Sequence, residues 1–100
     1  MQPGPLLMPD EIVEQMFSTT RFRAGYDQDQ VDHWLDGVVA TMRQHLAGSH
    51  EAGPIRADDV AAVQFTQTRF RDGYDMAEVD DFLDRVHATL AALERGERPS

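Results

Sequence analysis

The sequence predicts an all-α protein: two tandem helix-loop-helix repeats, paired side by side as a parallel, pseudo-twofold four-helix domain. Three observations lead there. An offset of 48 residues lays Phe17 to Thr41, FSTTRFRAGYDQDQVDHWLDGVVAT, over Phe65 to Thr89, FTQTRFRDGYDMAEVDDFLDRVHAT, with 15 identities in 25 positions and no gap. Such internal similarity marks a duplicated structural unit. After each Gly-Tyr-Asp, apolar residues recur at helical spacing: Val31, Trp34, Leu35, Val38 and Met42, then Val79, Phe82, Leu83, Val86, Leu90 and Leu93. With no cysteine in 100 residues, stability must come from packing rather than disulfides, and two units that each present one apolar stripe bury it best against each other.

Each repeat reads in the same order. Pro9 suits a first helical turn, Asp10 and Glu11 favour a helix N-terminus, and Ile12, Met16 and Phe17 share a face, which predicts a short first helix. In the second copy Asp58 and Asp59 take the acidic role, and Val60, Val63 and Phe65 the apolar one. A loop follows. Gly25-Tyr26-Asp27 and Gly73-Tyr74-Asp75 read as a turn with glycine at positive φ and aspartate as the next N-cap. Gln30 and Glu78 stand three residues on, completing a capping box in both copies. The second helices are expected near Gln28 to Leu46 and Met76 to Leu93. The domain reading is a first repeat over 1–46, a Gly- and Pro-containing linker over 47–57, a second repeat over 58–94 and a tail over 95–100. An 18-residue helix is about 27 Å long, and an 11-residue linker spans at most about 36 to 40 Å. The linker can therefore just return the chain to pair the repeats within one molecule, and a swapped homodimer is the alternative.

Composition narrows the function. Eighteen acids against nine bases, all arginine, leave a net charge of -9, which repels nucleic acid. No run approaches the roughly 18 apolar residues of a spanning helix, and the start lacks a basic, then apolar leader pattern, so a cytoplasmic protein is expected. The four histidines, His33, His45, His50 and His87, show no HExxH spacing, and none recurs between repeats, so no metal site is expected. There is no Gly-rich phosphate loop or GxSxG, and Ser18, Ser49 and Ser100 have no base beside them. We therefore expect no catalytic residue and no cofactor. Asp32, Asp36, Asp80, Asp81 and Asp84 fall largely off the apolar stripe and read as solvated surface.

The two TRFR loops concentrate positive charge. Arg21, Arg23, Arg69 and Arg71 are four of the nine bases, so the rest of the molecule carries -13 (-9 minus 4). Two readings stay open. Phe22 and Phe70 insert into a membrane while the arginines attract its anionic headgroups, or the phenylalanines plug the core and the arginines pair with Asp27, Asp32, Asp75 or Asp80. Tyr26 and Tyr74 are expected to close the core, with each hydroxyl bonded to backbone. Val31, Trp34, Leu35, Val38, Val79, Phe82, Leu83 and Val86 are the expected helix-pairing residues, read as core in preference to an exposed docking groove.

The unit F-x-x-T-R-F-R-x-G-Y-D-x-x-x-V-D-x-(W/F)-L-D, present twice over about 80 residues, resembles the N-terminal domain of the DivIVA family of bacterial division and polar-growth proteins. The resemblance implies a short helix, a crossed loop and a longer helix that pairs in parallel with a second copy, with loop tips that touch the membrane. Two features depart from the family. Its members continue into a long coiled coil, and its best-studied form places the aromatic-arginine pair directly before Gly-Tyr, where here Ala24 or Asp72 intervenes. The implied function is a non-catalytic module that helps place or regulate division or cell-envelope growth machinery at the inner membrane, at septum or pole. The alternative is a soluble adaptor that partners full-length DivIVA-like proteins without lipid contact. Expected partners are thus proteins of that machinery, DivIVA-family members among them, and an anionic membrane surface.

Overall fold

The computed structural model describes residues 6–48 and 53–97. The middle of the expected linker, residues 49–52 with His50 and Ser49, and the end of the expected tail, 98–100, lie outside the described residues. The elements in chain order are α1 (Pro9–Glu14), β1 (Thr19–Thr20), β2 (Gly25–Tyr26), α2 (Gln28–Leu46), α3 (Ala57–Ala62), β3 (Gln67–Thr68), β4 (Gly73–Tyr74) and α4 (Met76–Glu94). The expectation of an all-α four-helix domain is corrected here. Four short strands form one antiparallel sheet in the order β1-β4-β2-β3, so the fold is mixed α/β. Each strand is two residues long, too short for the alternation by which a strand is read.

No strand pairs with a strand of its own repeat. Thr19 and Thr20 of β1 lie opposite Tyr74 and Gly73 of β4, and Gly25 and Tyr26 of β2 lie opposite Thr68 and Gln67 of β3. A shift of 48 residues turns one set of pairs into the other. The central pair is Tyr26 opposite Tyr74, which places a pseudo-twofold axis there. The repeats are therefore interlocked, each completing the sheet of the other.

The long helices begin where aspartate caps them. Asp27 accepts from the Gln30 amide at 3.0 Å and Asp75 from the Glu78 amide at 3.0 Å. The other half of each expected capping box is corrected, because the side chain three residues on reaches the opposite repeat. Gln30 Nε2 donates to Thr66 Oγ1 (2.9 Å) and its Oε1 accepts from the Thr66 amide (2.8 Å), while Glu78 Oε1 accepts from the Ser18 amide (3.0 Å). The cap amides cross over too. Asp27 N–H donates to the Thr66 carbonyl and Asp75 N–H to that of Ser18. Both long helices end just before a glycine in the left-handed region, Gly48 at φ 80° and Gly96 at φ 89°, and these positions are also one repeat apart.

The core forms where the apolar stripes meet. Val31, Val38, Met42, Val79, Val86 and Leu90 are all but inaccessible, joined by Leu7, Ile12, Leu35, Val60, Phe82 and Leu93. Of the expected helix-pairing residues, Trp34 and Leu83 are half-buried and the other six buried. The segments before the short helices follow the same symmetry. Leu7 N–H donates to Thr89 Oγ1 (3.0 Å) and Ile55 N–H to Thr41 Oγ1 (3.1 Å). Two residues past Ile55, Ala57 N–H donates to Glu94 Oε2 at 2.7 Å, so one short segment bridges the later part of α2 to the end of α4. With their N-termini joined through the sheet, the two long helices run side by side in the same direction.

Candidate functional site: the paired loops

The loops between the strands, residues 21–24 and 69–72, hold the residues expected to carry function. Phe22 is 83% exposed and Phe70 79%, so neither plugs the core. Their arginines are largely paired. Arg21 Nε donates to Asp72 Oδ1 at 2.9 Å, Arg23 Nη2 to Asp75 Oδ2 at 2.9 Å, and Arg71 Nη2 to Asp27 Oδ2. Each of these bonds joins one repeat to the other, and the first joins loop to loop, so both tips lie at the same end of the molecule. The structure thus divides the two sequence readings: the phenylalanines face solvent, while the arginines hold Asp27, Asp75 and Asp72 and leave Asp32 and Asp80 to other groups. Arg69 has no carboxylate partner among the described residues.

The pairing lowers the loops' positive field. Four arginines against three aspartates leave the cluster close to +1, so attraction to an anionic surface is weaker than the arginine count suggests. The N-cap carboxylates do double duty, since each accepts from its own helix amide and from the other repeat's guanidinium. The Glu78 amide and then Arg23 hold the Asp75 carboxyl below the ordinary carboxylate range.

Behind the loops sit the tyrosines. Tyr26 Oη donates to Asp80 Oδ1 and Tyr74 Oη to Asp32 Oδ1, both at 2.8 Å, so the hydroxyl partner is a carboxylate of the opposite repeat and not backbone as expected. Burial first, and the carboxylate second, push both phenols up to about 12. Their rings join two mirrored aromatic clusters. Phe17 meets Tyr74 at 5.2 Å and Phe82 at 5.6 Å, and Phe65 meets Tyr26 at 5.5 Å and Trp34 at 6.0 Å.

These shifts give the direction in which Asp75 and the two tyrosines make stability depend on pH. A depressed folded pKa makes the Asp75 contribution complete above the ordinary carboxylate range, and it fades as pH falls through the folded value. A raised pKa works the other way, so the tyrosines contribute fully below their ordinary value of 10.0 and lose it as pH rises through about 12. The melting temperature is expected to be level between about pH 5 and pH 9 and to fall on both sides. Circular dichroism melts of Asp75→Asn and of the Tyr26→Phe, Tyr74→Phe pair check this. The first should flatten the acid limb and the second the alkaline one.

Sequence reasoning missed a second feature. Between each short helix and the long helix of its own repeat runs a shallow groove, lined in the first repeat by Ile12, Val13, Phe17, Asp32 and Asp36, and in the second by Val60, Ala61, Val63, Asp80 and Asp84. The signal was the recurrence of both carboxylates, four residues apart, in both copies. Read singly, each was only a solvated acid.

Among the described residues no group of three His, Asp or Glu side chains gathers to hold a metal ion, and no helix is long and apolar enough to cross a membrane. Compared with known protein families, curated proteins and solved structures, the chain matches none.

Proposed function

We propose that the protein is a non-catalytic, DivIVA-like module that helps place or regulate division or cell-envelope growth machinery at the inner face of the cell membrane, touching the lipid with its paired loops. The observation that supports this reading is the exposure of Phe22 and Phe70 in loops bonded to each other. Two large apolar side chains exposed on neighbouring loops at one end of the molecule suit a shared apolar contact. Each inserted ring contributes roughly 2 kcal/mol, and the pairing of the arginines keeps their addition small. A total of about 4 kcal/mol corresponds to a dissociation constant of about 1 mM, so stable residence needs several molecules or a protein partner at the same surface. On this reading the chain acts in the cytoplasm as a monomeric pseudo-dimer without cofactor.

Flotation with anionic vesicles at low salt tests it. Phe22→Ser with Phe70→Ser is expected to abolish binding, and either alone to weaken it severely, because the second contact forms at high effective concentration once the first is made. Far-UV circular dichroism should be unchanged, since both side chains are exposed. A wild-type protein that stays with the soluble fraction on highly anionic vesicles would remove direct docking. The grooves favour a second reading, a soluble adaptor for full-length DivIVA-like or other partner proteins. Apolar walls beside Asp32 and Asp36, or Asp80 and Asp84, suit a basic amphipathic segment. Asp36→Asn with Asp84→Asn would then reduce capture of such partners while leaving vesicle binding intact.

A further inference from the structure

The duplication makes the two loop tips nearly identical in sequence, yet the structure treats them differently. Under the 48-residue shift, Arg23 with Asp75 maps onto Arg71 with Asp27, so those two pairs are equivalent. The pair of Arg21 with Asp72 has no image. Its image would join Arg69 to residue 24, and residue 24 is alanine. Arg69 therefore keeps its charge uncompensated among the described residues, while the charge of Arg21 is cancelled at 2.9 Å. The backbones differ as well. Phe70 has φ 70° and is the single non-glycine residue with positive φ among the described residues, a conformation that a bulky side chain adopts only where the surroundings hold it.

We propose that the two tips are unequal: the Arg69-Phe70 tip makes the leading contact with an anionic phospholipid surface, and Asp72 neutralises the Arg21-Phe22 tip into the weaker one. This rests on the lipid-docking reading above. Outside the membrane the net charge of -9 opposes approach, so the orientation that places the one uncompensated cation of the two loops nearest the headgroups has the lowest electrostatic energy. Phe70 then enters beside it. Phe22, held next to a closed ion pair, must bring both of those charges to the same interface and gains no net attraction from them.

The experiment moves one carboxylate between the tips without changing the net charge. Ala24→Asp combined with Asp72→Ala gives Arg69 a partner and takes it from Arg21. Binding to phosphatidylglycerol-rich vesicles is measured at low salt for Phe22→Ser and Phe70→Ser, in the wild-type background and in the swapped one. In the wild type, Phe70→Ser is expected to weaken binding about fivefold more than Phe22→Ser, the effect of one arginine near an anionic leaflet. In the swapped protein the order should reverse. In about 1 M salt, where the Debye length is about 3 Å, the difference should disappear in both. Equal losses in the wild type, or an order that the swap leaves unchanged, overturn the inequality while lipid docking stands. No vesicle binding by the wild type overturns both. Should the swapped chain fold poorly, the wild-type comparison and its salt dependence still decide.

Discussion

Phe82→Ala is expected to lower the free energy of unfolding by about 3 to 5 kcal/mol, while Trp34→Ala, at the equivalent position of the first repeat, costs only roughly 2 kcal/mol. The two side chains hold equivalent places in the two aromatic clusters but are buried to different depths. Phe82 is 5% exposed and meets the edge of Phe17 at 5.6 Å, so its loss opens a cavity inside the core. Trp34 is half-buried and meets Phe65 at 6.0 Å, so water replaces part of what is removed. A domain of this size holds only about 5 to 15 kcal/mol in total, and Phe82→Ala should therefore leave a visible unfolded fraction near the physiological temperature. Urea titrations followed by far-UV circular dichroism measure both changes. Two small and equal losses would show that the stripe faces solvent and not the core.

The asymmetry between these positions marks the limit of what sequence conveys here. Helix starts were legible because they are local: Asp27 and Asp75 cap by accepting from amides three residues away, and the apolar spacing that follows needs no distant partner. The sheet was not legible, because each two-residue strand owes its existence to a strand in the other repeat. The side chains that bond across followed the same rule. Gln30 and Glu78 have the spacing of a capping box, yet once the repeats interlock they bond to Thr66 and Ser18 of the other repeat. At the candidate site, the concentration of arginine in two loops was visible, and the exposure of Phe22 and Phe70 was not, because it depends on a loop path laid over the opposite repeat. The mismatch of Ala24 with Asp72 stood in the repeat alignment from the start. Its meaning needed the knowledge that residue 72 faces Arg21 and that residue 24 would face Arg69.

The glycines before the tyrosines give the second large effect, for a reason other than the turn that the sequence suggests. Positive φ occurs at Gly48 and Gly96, and not at Gly25 or Gly73. What these two need is space, because β2 and β4 meet at the pseudo-twofold axis. A Cβ on Gly25 would stand 2.1 Å from Thr20 Oγ1 and 2.9 Å from the Tyr74 carbonyl oxygen, and one on Gly73 would stand 2.5 Å from Thr68 Oγ1 and 3.1 Å from that of Tyr26. Gly25→Ala is therefore expected to cost about 3 kcal/mol, at the upper end for overpacking, and Gly73→Ala somewhat less. The two contacts can be separated. Thr20 Oγ1 is buried without a hydrogen-bond partner, so Thr20→Ala removes it at little polar cost and should recover part of the loss in Gly25→Ala. The carbonyl belongs to the central strand and cannot step aside, so recovery stays incomplete. Gly48→Ala supplies the contrast. No atom lies within 4 Å of the added carbon there, and the cost is the conformational one alone, about 1 kcal/mol. Thermal melts in which Gly25→Ala loses no more than Gly48→Ala would mean that the strands do not meet as closely as the central pairing requires.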